Sequence, residues 1–264
     1  MKIRFNITKN ILFLIFLFFL LSGLYAQQGA SSDQQLLARV DSLVSYTNSD
    51  FQAEYVIVQD RPGHPRATTV AGIFRRDSRE QYVIIIMEPQ ISRGQGYLRE
   101  RNTLWFYDPQ SRRFNTTSNT SRFQNTNARN SDFTRSTLAQ DYRVTSGENV
   151  RLGRFNCRLL TLEAVTTDVT YPRMKVWISE DNLLRKAEDY SLSGQLLRTS
   201  VISDYYNING RFVPRQILFV DELLGSVVNG AFVNERTQIT INKPSFNRIA
   251  DSVFSLTFLE SVNR

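Results

Sequence analysis

Cysteine and histidine are almost absent from this chain: 264 residues hold one of each, Cys157 and His64. A single thiol excludes an intramolecular disulfide, so an exported fold of this size must be held by its core. No His/Cys cluster exists to bind zinc. His64 stands in Arg61-Pro62-Gly63-His64-Pro65, which reads as a turn, and Cys157 stands in a strand as an inert thiol. Glycine-rich phosphate loops and the GxSxG elbow are missing. Neighbouring carboxylates such as Glu188-Asp189 point to opposite faces of a strand and cannot act as a pair. No catalytic residue, metal or cofactor is expected, and the protein is read as a non-enzyme.

Long apolar runs are missing too, except at the start. Lys2, Arg4 and Lys9 form a positive region without acidic residues, followed by an apolar run from Ile11 to Leu21 and by Ser22, Gly23 and Ala26. This is the order of a cleavable secretory signal, with cleavage expected after Ala26, and the apolar run is shorter than the ~20 residues of a spanning helix. Residues 27–32 then read as a flexible leader and 33–264 as a single domain. The formal charge of +7 falls to a mild basic excess once the signal's three cations are removed. Export makes nucleic acid an improbable partner.

Periodicity supplies the rest. Leu36, Leu37, Val40, Leu43 and Val44 recur at helical spacing after Asp33, a candidate cap, and Asn48-Ser49-Asp50 ends the helix. From Phe51 onward roughly 11 strands follow, spaced as in an antiparallel meander that curls toward a barrel. The run Tyr82–Met87 is apolar on both faces and is expected to be central. A strand is expected over 212–220, with Asn209-Gly210 as a two-residue hairpin turn before it. The Asn-, Thr- and Ser-rich stretch 115–135 is too long for an idle connection and too polar to bury much apolar area, which predicts the most mobile segment of the mature chain. A short helix over 132–142, with Phe133, Leu138 and Tyr142 on its apolar side, is expected to close it. Many strands are apolar on both sides. That pattern fits either a filled core or a concave cavity for a lipid chain.

The stretch from Arg93 to Phe114 (RGQGYLRERNTLWFYDPQSRRF) resembles the bacterial outer-membrane lipoprotein-sorting (LolA-like) family. Ser131-Asp132-Phe133, the segment Tyr171–Tyr190, Gly210–Pro214 and the terminal Asp251–Glu260 fit the same resemblance in order. It implies a mainly β fold with a few helices: a strongly curved antiparallel half-barrel with helices over its concave side. It also implies a periplasmic carrier that binds acyl chains of lipids or lipoproteins and moves them toward the outer membrane. An inner-membrane transporter and an outer-membrane receptor would be its partners, and a monomer is expected. Alternation along each strand assigns Phe74, Ile84, Ile86, Trp105, Tyr107, Leu160, Leu162, Val176, Ile178, Ile217 and Phe219 to the cavity wall. Leu37, Val40, Val44, Phe133 and Leu138 are assigned to the lid. The rival reading is an envelope interaction or sensor module of the same fold with a filled core.

Overall fold

The computed structural model describes residues 32–262. The expected signal and residues 27–31 of the expected leader lie outside them. Ser32, placed in that leader, is already helical: α1 runs over 32–44. Its stripe buries Leu37 and Val40 against the sheet. Asp33 is not a cap but pairs side-on with Arg158, at 2.9 and 2.8 Å. A Cβ on Gly147 would collide with the Asp33 carboxylate and Leu160, so glycine lets the helix lie this close to the sheet.

Fifteen strands follow among the described residues. The first six are β1 (Phe51–Asp60), β2 (Ala67–Arg76), β3 (Gln81–Glu88), β4 (Gly96–Glu100), β5 (Thr103–Asp108) and β6 (Arg113–Thr117). Then come β7 (Tyr142–Leu152), β8 (Phe155–Ala164), β9 (Arg173–Ser179), β10 (Leu184–Tyr190) and β11 (Leu196–Ile202). β12 (Tyr205–Ile208), β13 (Arg211–Pro214), β14 (Gln216–Val228) and β15 (Ala231–Ser245) complete the set. Thirteen of them form one open antiparallel sheet in the order β6-β5-β4-β3-β2-β1-β15-β14-β11-β10-β9-β8-β7. It is an open half-barrel made of two meanders sewn together where β1 pairs with β15.

The expected strand over 212–220 is two strands. Asn209 and Gly210, both at positive φ, turn β12 into β13, and this pair forms a small separate sheet. The edge strand β7 has no counterpart in the expected strands, because its sequence (YRVTSGENVRL) is largely polar and largely solvent-facing. The expected helix over 132–142 is also corrected. Asn130–Phe133 makes a 3₁₀ turn, α2 spans only Leu138–Asp141, and Tyr142 begins β7.

Both faces of the sheet are covered at β3, which explains its doubly apolar sequence. Ile84 and Ile86 face the concave side with Ile73 and Ile239, whereas Val83 and Ile85 face the outer side with Leu98 and Leu259. The outer cover is the closing segment, including α3 (Leu256–Ser261), so not every helix lies on the concave face. Asp50 and Arg76 fasten this segment. Arg76 donates to both oxygens of Asp50 at 2.9 Å and to the Ile249 carbonyl at 2.6 Å, and lies over the Phe254 ring.

Candidate functional site

The edge strands β6 and β7 are consecutive in sequence but lie at opposite ends of the sheet. Residues 118–141 therefore have to travel from one edge to the other, and they do so across the concave face. Contacts mark the route. Phe123 packs on Tyr97 of β4, its ring centroid 5.0 Å away, and the Asn127 amide donates to Thr237 Oγ1 of β15 at 2.7 Å. Arg122 reaches Asp221 of β14 at 2.5 Å, and Asp132 accepts from Arg198 of β11. At the far side Asp41 of α1 accepts from the Leu138 and Ala139 amides and from Ser136 Oγ.

The sequence predicts a mobile segment here, and the structure packs it against the sheet as a strap. Phe123, Ala128 and Phe133 are buried, as are Thr126, Asn127 and Asn130. Its polar residues are held partly within the strap, Thr126 by the Phe123 carbonyl and Asn130 by the Ser118 and Ser121 carbonyls, and partly by distant partners, Arg122 by Asp221, Asn127 by Thr237 and Asp132 by Arg198.

Between the strap, α1 and the sheet lies a cavity of about 1040 Å³, at the large end of small-molecule sites. Val40, Val44, Phe51, Tyr55, Phe133, Ile217, Phe219, Ile239 and Ile241 form its apolar wall. Two buried charged clusters interrupt that wall, and Glu80, Arg99, Arg135, Asp141 and Asp168 also line the cavity. Arg75 pairs with Asp77 at 2.7 and 3.0 Å beneath Tyr46 and Phe51. On the floor, Arg198 donates through Nε to Asp189 at 2.7 Å and through its other nitrogens to Asp132 at 2.7 and 3.1 Å. The Arg198 guanidinium lies over the rings of Tyr171 and Phe219. Burial pushes the Asp189 carboxyl above its ordinary range, while Arg198 pulls it back.

The residues assigned from sequence separate into three groups. Val40, Val44, Phe133, Leu138, Ile217 and Phe219 line the cavity. Ile84, Ile86, Leu160, Leu162, Val176, Ile178 and Leu37 face the same side but are packed solidly into the concave core. Phe74, Trp105 and Tyr107 point the other way, into the outer core under α3. The inward residues of those strands are Ile73, Leu104 and Phe106. Alternation identifies which side chains share a face but not which face is inside, and here both faces are apolar.

Sequence reasoning missed the charged residues of the site. The signal for Asp189, Arg198 and Asp221 is a charged residue at a strand position whose neighbours two places away point inward. In register, Arg198 stands opposite both Asp189 and Asp221, so the three form one row across β10, β11 and β14.

Among the described residues, no group of three or more His, Cys, Asp or Glu side chains could hold a metal, and no helix is long and apolar enough to cross a membrane. His64 is exposed in the β1–β2 turn and Cys157 is buried in β8. The arrangement is suited to shelter and orient a guest.

The fold has solved counterparts. A LolA superfamily protein from Nitrosomonas europaea superposes with a TM-score of 0.70 at 24% identity, covering 85% of this chain and 98% of that one. A putative outer membrane lipoprotein-sorting protein domain from Vibrio parahaemolyticus gives 0.75 at 14% identity, covering 86% and 97%. A DUF1329 family protein from Desulfovibrio piger gives 0.74 at 19% identity, covering 87% and 98%. No curated protein matches the sequence. A family model described as "uncharacterized protein-like" matches residues 78–261, most of the chain, and the protein therefore belongs to that family, built on the LolA-like fold.

Proposed function

We propose that the protein is an exported, non-enzymatic carrier that shelters the acyl part of a lipid or lipoprotein and moves it through the periplasm toward the outer membrane. The observation that carries this reading is the cavity of about 1040 Å³ left open between sheet, strap and α1, with apolar side chains along its wall. Each CH₂ buried there contributes about 0.8 kcal/mol, so part of one chain is enough for useful affinity. The apolar wall would hold the chain, and the charged floor would meet its polar end. Fold likeness to a lipoprotein-sorting domain supports the same reading. The N-terminal signal supports export, and exchange with an inner-membrane transporter and an outer-membrane receptor is part of the same proposal, as the family resemblance implies. The rival module with a filled core is disfavoured by the open volume.

Native mass spectrometry of the protein purified from its own periplasm tests this. A co-purified mass of lipid or acylated peptide, lost on delipidation and regained on incubation with lipid, is expected. A clean apo mass together with no uptake of any acylated compound would remove the carrier reading.

A further inference from the structure

The floor of the cavity carries two polar atoms that the protein itself does not satisfy. Asp189 is fully buried, and while its Oδ2 accepts from Arg198, its Oδ1 has no partner. Ser200 is only 8% exposed, and its Oγ is likewise unpartnered. Both side chains line the cavity. A buried carboxylate oxygen without a donor bears its desolvation cost uncompensated, so it is a place where an incoming donor gains the most.

The sheet register puts the two residues side by side on the cavity face of adjacent strands. Asp189 lies opposite Arg198, and Ala187, two residues earlier on the same face, lies opposite Ser200. Ala187 and Ser200 are both small and both line the cavity. Diagonal neighbours of this kind are about 7–8 Å apart in an antiparallel pair. That span suits the linkage region of an amphiphile better than a single point group.

The local charges narrow the chemistry further. One guanidinium, Arg198, is shared by Asp132 and Asp189, and Arg129 adds a second positive charge facing Asp189. The two carboxylates are thus already balanced, which leaves no surplus negative charge to hold a cation. An anionic group, such as a free fatty-acid carboxylate, would be repelled by the bare Asp189 Oδ1. An uncharged donor remains.

Resting on the carrier reading, we propose that Asp189 and Ser200 form a polar subsite for the uncharged hydrogen-bond donors, hydroxyl or amide N–H, of the linkage between acyl chain and headgroup, each residue accepting from its own donor or competing for one. The cavity would then select acyl compounds by what joins the chain to its head.

Calorimetric titration of the mature protein with three probes of one chain length tests this: a monoacylglycerol, an N-methyl fatty amide and a fatty-acid methyl ester. The first offers hydroxyls, the second an N–H, and the third no donor. At least one donor probe is expected to bind about tenfold more tightly than the ester. Which of them does so distinguishes hydroxyl from amide. In Ser200→Ala and in Asp189→Asn that preference is expected to shrink several-fold, with the ester's affinity unchanged. Ser200 Oγ holds nothing together, so Ser200→Ala decides the matter even where Asp189→Asn folds poorly. Equal affinity of the wild type for all three probes, or an undiminished preference in both variants, overturns the subsite and leaves the carrier reading standing. Failure of all three to bind overturns the subsite, while the carrier reading falls only if no acylated compound is taken up.

Discussion

Arg198 on β11 donates to both carboxylate oxygens of Asp132 on the strap, at 2.7 and 3.1 Å, so one side chain of the sheet holds down the segment that covers it. The same guanidinium holds Asp189. Arg198→Ala would leave two enclosed carboxylates without their shared cation, and a loss of about 3–5 kcal/mol is expected. Urea unfolding measures it. A loss below about 1 kcal/mol would mean that the strap is held by something else.

The strap is expected to behave as core. Phe123 is wholly buried between Tyr97 and Phe133, and Phe123→Ala is expected to cost about 3–5 kcal/mol. Hydrogen exchange at Phe123, Asn127 and Asn130, whose amides donate to Ala128, Thr237 and Ser121, is expected to be slow. Exchange there as fast as in an open chain would contradict the structure.

The two tryptophans are poorly placed to sense a guest. Trp105 lies in the outer core, and Trp177 points away from the inward-facing Val176 and Ile178, with Lys186 over its ring. Intrinsic fluorescence is expected to stay constant while calorimetry records binding. Ile217→Trp, on the cavity wall, is expected to respond. A large change in the wild-type spectrum would relocate the site.

Acid stability depends on Asp50. Hydrogen bonds from Arg76 and the Ile249 amide hold its carboxyl below the ordinary 3.8. A depressed acid contributes stability that is present above the unfolded-state value and is lost as pH falls through the folded-state value. Asp41 and Asp189, raised by burial, act in the opposite sense between 3.8 and their higher folded-state values. Asp50→Asn is therefore expected to be less stable than the wild type at pH 7, with the difference narrowing below about pH 4. Urea midpoints measured at pH 7, 4 and 3 check it. A gap that does not narrow would assign the role to another group.

Alternation in Phe51–Asp60, the helical stripe from Leu36 to Val44 and the Asn209-Gly210 turn determined by themselves that this chain makes an antiparallel β fold with one helix laid on it. These signals are local, since a period of two or of 3.6 residues is read from neighbours in the chain. Tertiary structure decided which face is inside. Phe74 and Ile73, or Trp105 and Leu104, are equally good core residues, and α3, which lies far along the chain from both pairs, covers one set and not the other. It also decided the fate of the strap. Composition predicts motion for a polar segment because composition counts only the apolar area the segment brings with it. Arg122, Asn127 and Asp132 are ordered instead by Asp221, Thr237 and Arg198, partners 66 to 110 residues away in sequence. They come within reach only once the sheet has curved and brought its two edges to either side of the cavity.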